Sequence, residues 1–135
     1  MSHFQFILHS ATNLPKADVV GTIDAYAVIK IPCETCVKEY VTPFINDDEN
    51  PVWNFECPSE IYMNTNDEIT VEIWDKDTFT RDDFVANCQI SISNILACPF
   101  KEKTIILKCV DDYTPYDKSK PATVTISAFY KSFRN

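Results

Sequence analysis

The sequence predicts an all-β fold, an eight-stranded antiparallel β-sandwich. Short segments alternate apolar and polar residues, turn-forming residues separate them at fairly regular spacing, and no amphipathic stretch of helical length occurs. The chain has 135 residues and 45% hydrophobic content, which suits one domain spanning residues 1–135 with a buried core. It contains a single glycine, so its turns must rely on Asn, Asp and Pro.

The predicted strands follow the period-two pattern of a half-buried sheet. Phe4, Phe6 and Leu8 mark the first strand, which is expected to end near Ser10. The other seven are expected at 26–31, 37–44, 52–56, 68–75, 84–92, 104–110 and 122–130. One helical turn is expected around 94–96, within the connection that precedes the seventh strand.

The fifth predicted strand runs into four aspartates within nine residues, from Asp75 to Asp83. Like charges about 4 Å apart repel by roughly 4 kcal/mol at an effective dielectric of 20, so such carboxylates either face solvent or share a cation. Calcium fits, because it takes six to eight oxygen ligands in a flexible shell. An EF-hand loop starting at Asp75 is excluded, since Phe79, Thr80 and Ala86 would occupy its third ligand, glycine and final glutamate positions.

Two further loops carry aspartates. Asp18 and Asp24 follow the first predicted strand, and Asp47 and Asp48 precede the fourth. Alternate loops of an antiparallel sandwich project from the same end, so the three acidic segments are expected to converge there.

Composition argues against several classes of function. The formal charge of −8 argues against nucleic acid or an anionic membrane as a default partner, because both are polyanions. The only histidines, His3 and His9, flank one strand, and no Ser/His/Asp or Cys/His arrangement is evident, so no enzymatic activity is expected. No secretory signal and no membrane-spanning apolar run is recognised, which favours a cytoplasmic location.

The six cysteines permit two interpretations. Cys33 and Cys36 have the spacing of half a zinc site, but no second closely spaced pair completes it. Free and mostly buried thiols are therefore the favoured interpretation.

Three motifs, in order along the chain, resemble those of the C2 domain family. The first is NLP at 13–15 followed by DVVGTIDAY at 18–26, the second is NPVWN at 50–54, and the third is VEIWDKD at 71–77 followed by DFV at 83–85. The resemblance covers nearly the whole chain. The strand order, which opens directly before the first motif and closes on an extra strand, resembles the type II, phospholipase-like arrangement of that family.

The resemblance implies a site for two or three calcium ions. The family's five acidic ligands fall on Asp18, Asp24, Asp75, Asp77 and Asp83. Secondary ligand candidates are Ala17, Lys76, Thr80 and Arg81, and Asp47 or Asp48 is a weaker one. The sequence departs from the family at Ala25, which replaces a proline, and at Ala86, which replaces a glycine. It also lacks a Glu-x-Phe after 53–54, so the fourth strand is expected to be shorter.

By the same resemblance, the chain is expected to be a monomeric module that binds phospholipid membranes when calcium is present, for targeting or signalling. Two calcium ions would nearly cancel the −5 of five carboxylates and remove their repulsion from anionic lipid. Val19, Val20 and Phe79 would then insert, and Arg81 would contact a phosphate. The alternative is a protein-interaction module that binds calcium weakly or not at all and binds no lipid. For Phe79, Val19 and Val20, inward packing against the protein is the competing interpretation, and for Arg81 it is an ordinary surface charge.

Overall fold

The computed structural model describes residues 2–16, 22–33, 35–57 and 66–132. Nine strands and one short helix form within this part of the chain. The strands are β1 (Ser2–Thr12), β2 (Ala25–Pro32), β3 (Val37–Val41), β4 (Val52–Cys57), β5 (Glu68–Asp75), β6 (Asp83–Ser91), β7 (Phe100–Ile106), β8 (Lys108–Cys109) and β9 (Thr123–Ser132), and the helix is α1 (Ile92–Ala97). No helix among the described residues is long and apolar enough to cross a membrane.

The strands form two antiparallel sheets, which confirms the predicted sandwich. One sheet has the order β4-β1-β9-β7 and the other has the order β3-β2-β5-β6-β8. The last strand lies between β1 and β7, as expected for a chain that opens before the first motif and closes on an extra strand. Residues 123–132 are therefore an internal strand of the first sheet.

The prediction of eight strands is wrong by one, because the expected seventh strand divides between the two sheets. β7 pairs with β9 in the first sheet, whereas β8 pairs with β6 in the second. Leu107 lies between them, is buried, and donates its backbone N–H to the carbonyl of Ala122 at 2.8 Å. Burying this leucine between the layers turns the chain from one sheet to the other.

Three other expectations concern local boundaries. The third strand ends at Val41 rather than near Phe44, since Pro43 has no N–H to continue the ladder. The predicted helical turn is confirmed as α1, whose N-cap Ser91 accepts a hydrogen bond from the N–H of Asn94. The expected shortening of the fourth strand is wrong, because β4 extends from Val52 to Cys57.

Strict alternation along two central strands places the core between the sheets. Every second residue of β2, from Ala25 to Ile31, is buried, and so is every second residue of β5, from Ile69 onward. Each fully buried Leu, Ile, Val or Phe side chain contributes about 1.5–3 kcal/mol relative to an exposed one. Asp75 is the last member of the buried series on β5, so the strand period itself places this carboxylate on the core side.

Strand pairing brings four loops to one end of the sandwich. The start of β2 lies opposite the end of β5, which lies opposite the start of β6, and the end of β1 lies opposite the start of β9. The first (13–24), second (42–51), third (76–82) and fourth (110–122) loops therefore leave the same end, called the loop pole below. The predicted convergence of three loops is found, and the fourth loop joins them. Residues 17–21 of the first loop lie outside the described residues.

Candidate functional site: the loop pole

The third loop is closed by the carboxylate of Asp77. Its Oδ1 accepts hydrogen bonds from the backbone N–H groups of Phe79 at 3.0 Å and Thr80 at 3.3 Å, and its Oδ2 accepts from the Thr80 hydroxyl at 2.7 Å. These bonds, the Phe79 one foremost, hold the pKa of the Asp77 carboxyl below its ordinary value. The loop therefore keeps its turn by means of its own ionised side chain.

Asp82 fastens the third loop to the sheet. One carboxylate oxygen accepts from the backbone N–H of Asp77 at 2.9 Å, and the other accepts from the hydroxyl of Tyr26 at 2.6 Å. Both bonds lower the pKa of Asp82, whereas burial and the adjacent carboxylate raise that of Tyr26. Sequence reasoning did not assign a role to Asp82 or to Tyr26.

A chain of carboxylate contacts links the first two loops to the end of β5. Oδ1 of Asp75, a residue that is 2% exposed, accepts from the N–H of Asp24 at 2.9 Å. Oδ1 of Asp24 in turn accepts from the N–H of Asp47 at 2.7 Å. The Asp47 carboxylate accepts from the hydroxyl of Thr22 at 2.6 Å and from its N–H at 2.7 Å, bonds that lower the pKa of Asp47. The second loop is thus bonded to the first, and the first to the end of β5.

Four of the five predicted acidic ligands lie at this pole. Asp83 begins β6 opposite Asp75, and its exposed side chain has no hydrogen bond or ion pair within the described part of the chain. Asp18, like the secondary candidate Ala17, lies outside the described residues. Among residues that the structure describes, no three Asp, Glu, His or Cys side chains gather closely enough to form a metal group.

The other secondary candidates are also at the pole. The N–H of Lys76 donates to the carbonyl of Asp24 at 2.9 Å, and its ammonium lies 5.7 Å from the ring centre of Phe44. The Thr80 hydroxyl is bonded to Asp77, as described above, and Arg81 is exposed.

Large apolar side chains project from two of the loops. Phe79 in the third loop is 94% exposed, so the competing interpretation of inward packing is wrong for this residue. Val19 and Val20, the predicted apolar tip of the first loop, lie outside the described residues. Phe44 in the second loop is 47% exposed and was missed as a surface residue, because it was expected inside the third strand.

Asn13 holds the fourth loop against the first and second. Its side-chain amide donates to the carbonyls of Asp117 and Lys120, each at 2.9 Å, and its side-chain oxygen accepts from the Asp117 N–H at 2.7 Å. Its own N–H donates to the side chain of Asn50 at 2.9 Å. Asn13 has a φ of 57°, a left-handed conformation that asparagine tolerates better than most residues.

Ala25, which replaces the family's proline, forms a backbone hydrogen bond that a proline could not form. The N–H of Ala25 donates to the carbonyl of Ile45 at 3.1 Å, and the N–H of Ile45 donates back at 2.9 Å. Proline lacks the donor for the first of these bonds. The departure from the family pattern therefore gives the second loop an additional attachment to β2.

The one basic residue on β2, Lys30, is neutralised by neighbouring glutamates. The ammonium of Lys30 lies 3.3 Å from a carboxylate oxygen of Glu72 and 3.9 Å from one of Glu39. This arrangement leaves little uncompensated positive charge on that face of the sheet.

The six cysteines are free thiols and differ in burial. Cys57 and Cys88 are buried, and burial raises the pKa of each to about 12, so neither is a reactive thiolate. The expectation of mostly buried thiols is wrong, since Cys36 and Cys98 are exposed and the remaining two are half-buried.

The profile of the C2 domain family matches residues 2–111. Synaptotagmin-5 of Arabidopsis thaliana is 28% identical over 111 residues, which are 82% of this chain and 18% of that protein. A calcium-dependent lipid-binding protein of the same plant is 31% identical over 126 residues, which are 91% of this chain and 24% of that protein. The chain thus spans a quarter or less of the length of these two relatives.

Solved structures show the same fold. A C2 domain of plant extended synaptotagmin 1 superposes with a TM-score of 0.72 at 17% identity, covering 99% of this chain and 97% of that one. Together with the two-sheet sandwich and the four-looped pole, the profile match gives the assignment: the chain belongs to the C2 domain family.

Proposed function

We propose that this C2 domain is a peripheral membrane module that binds phospholipid when calcium occupies the loop pole. One observation carries the proposal, the meeting at a single end of four aspartates and an exposed aromatic side chain, namely Asp24, Asp75, Asp77, Asp83 and Phe79. We further propose that the module acts as a monomer at the cytoplasmic face of its target membrane and has no catalytic role.

The donor set fits calcium in its chemistry. Carboxylate oxygens are the hard ligands that calcium prefers, and an ionised carboxylate has about four lone-pair sites. Asp77 and Asp24 therefore retain acceptor capacity beside the hydrogen bonds they already receive. Asp18 in the first loop would complete the proposed set, and the hydroxyl of Thr80 and backbone carbonyls near Ala17, Lys76 and Arg81 would supply further oxygens.

Charge at the pole supplies the switch. Without the metal, five carboxylates repel the anionic headgroups that Phe79 would have to pass. Two bound calcium ions would add a charge of +4 to the −5 of the carboxylates and so remove most of the repulsion. A third ion would make the net charge of the pole positive. Insertion of Phe79, with Val19 and Val20 beside it, then contributes on the order of 1.5–3 kcal/mol for each side chain. Arg81, which is exposed in the same loop, would contact a lipid phosphate.

The relatives support this proposal. One of them is named as a calcium-dependent lipid-binding protein, and it matches 91% of this chain at 31% identity. We further propose that the sheet face around Lys30 contributes little to the selection of a lipid headgroup. This is supported by the two glutamates that offset the charge of Lys30.

Calcium titration of the purified protein tests the metal site. Asp75→Asn/Asp77→Asn is expected to lose calorimetric calcium binding and calcium-dependent co-sedimentation with phosphatidylserine vesicles. The matched control is Asp67→Asn/Glu68→Gln, which removes the same charge from the opposite end of β5. It is expected to bind calcium and vesicles like the unchanged protein.

Two outcomes would contradict the proposal. Unchanged calcium binding by the Asp75 and Asp77 variant would mean that the ligands are assigned to the wrong residues. Absence of vesicle binding both with calcium and with chelator would instead favour a protein-interaction module.

A further inference from the structure

Residues of the fourth and first loops line an open cationic cavity at the loop pole. The cavity has a volume of about 430 Å³ and is lined by Lys16, Thr114, Pro115, Tyr116 and Lys118. No acidic side chain of the described residues lines it. In a chain with a formal charge of −8, two lysines lining one cavity, with no acidic side chain among its described lining residues, form a local exception.

The two lysines are available to a ligand. Both are exposed, and neither forms an ion pair within the described ranges. The carboxylate of Asp117, the residue directly before Lys118, is engaged with Ser119 and Lys120. It accepts from the hydroxyl and N–H of Ser119 at 2.6 and 3.0 Å, and it lies 3.9 Å from the Lys120 ammonium.

The fourth-loop wall of the cavity is held in place by Asn13. The N–H of Tyr116 donates to the Asn13 carbonyl at 3.4 Å, and the following N–H, that of Asp117, donates to the Asn13 side chain. Asn13 thus fixes the fourth-loop wall of the cavity, and Lys16 follows it by three residues on the first loop. Tyr116, two residues before Lys118, also lines the cavity. Its ring is 52% exposed and adds an amphipathic wall.

We propose that this cavity binds the headgroup phosphate of an anionic phospholipid, independently of the calcium ligands. The ligand chemistry follows from two ammonium groups, a threonine hydroxyl and a half-exposed tyrosine around an open space. A lipid is favoured over a free phosphate because the cavity shares its pole with the almost fully exposed Phe79, which would face the same bilayer. Exposed lysines gain little from a dilute soluble anion in salt, whereas an anionic membrane surface attracts each one appreciably.

This inference rests on the proposed membrane-binding function and extends it to headgroup selection. Its test compares Lys16→Ala/Lys118→Ala with the matched control Lys38→Ala/Lys101→Ala, which removes two exposed lysines from β3 and β7. With calcium present, partition onto phosphatidylserine–phosphatidylcholine vesicles is expected to weaken roughly tenfold to thirtyfold for the first pair, the loss typical of two lysines near anionic lipid. The control pair should partition like the unchanged protein, and calcium affinity without lipid should be unchanged in both.

A second measurement separates this cavity from the calcium site. In chelator, soluble dihexanoylphosphatidylserine is expected to shift the backbone amide signals of Thr114, Tyr116 and Lys118, and the Lys16→Ala/Lys118→Ala variant should lose these shifts. This result would stand even if the calcium proposal failed. Equal losses for both lysine pairs would overturn the inference, since bulk charge would then explain them. Amide shifts outside the cavity, or equal shifts with inorganic phosphate, would overturn it as well.

Discussion

The third and fourth loops leave the same pole of the sandwich, but different parts of the chain hold them in place. The third loop is closed by its own carboxylates, with Asp77 bonded to the two amides that follow and Asp82 bonded to Tyr26. The fourth loop is held from outside, by the side chain of Asn13 more than a hundred residues earlier. The third loop presents an exposed aromatic ring, Phe79, between Asp77 and Asp82, whereas the fourth carries Tyr116 together with two lysines and three aspartates.

Because the two loops have different anchors, we expect mutations to affect each loop separately. Under the proposed function, the third loop would approach an anionic surface only after calcium has bound, whereas the lysines of the cavity between the first and fourth loops would attract that surface without the metal. If the two loops are held independently, a change in one anchor should loosen its own loop and leave the other intact. The following variants are ordered from the largest expected effect to the smallest.

Replacing Asn13 should have the largest effect on stability. Asn13→Ala removes the side-chain bonds to the fourth loop and places alanine at a positive φ, so we expect a loss of about 2–4 kcal/mol in the free energy of unfolding. Asn13→Gly serves as the control, because glycine tolerates this φ but makes no side-chain bonds. Urea unfolding measures the loss, and hydrogen exchange should show the Asp117 amide exposed in both variants. Retained protection of that amide would mean that the fourth loop has another anchor.

Removing the aromatic ring of the third loop should weaken membrane binding without affecting folding. Because Phe79 is 94% exposed, Phe79→Ala should leave the urea midpoint unchanged. Its vesicle partition with calcium should fall by about tenfold or more, as expected when a phenylalanine no longer enters the bilayer. Val37→Ala, at an exposed position of β3, is the control and should bind as before. Equal binding by Phe79→Ala would show that the third loop does not insert.

The smallest expected effect is that of the tyrosine hydroxyl. Tyr26→Phe removes one hydrogen bond to an ionised carboxylate, so we expect a loss of about 1–2 kcal/mol in unfolding free energy. Hydrogen exchange should accelerate at the amides of Asp77 and Phe79, while the Asp117 amide remains protected. Acceleration at Asp117 as well would show that the two loops are coupled, which would contradict their independent anchoring.

Regular alternation explains why the sheets were predictable from sequence. Along β5, the series Ile69, Val71 and Ile73 marks the buried face without knowledge of any partner strand, and Asp75 continues it. The division of the expected seventh strand was not predictable, because it depends on Leu107 finding space between two layers that form elsewhere in the chain.

The site was only partly predictable for a related reason. The aspartate spacing placed Asp75, Asp77 and Asp83 at one end, but sequence alone does not distinguish the neighbouring Asp82 as the partner of Tyr26. That choice depends on the register of β5 with β6, which shifts between Ile73 and Trp74. The role of Asn13 is set by contacts across 104 and 107 positions, which no local pattern reports.

The central position of β9 affects how the protein folds during synthesis. β1 pairs with β9 at ten positions, so β1 must wait until β9, which lies more than a hundred residues later in the chain, has left the ribosome before this ladder can close. Such sequence-distant pairing slows folding, and an unpaired strand edge is prone to aggregation in the meantime. β4, which pairs with the other side of β1, is available much earlier and covers one of the two edges during that interval.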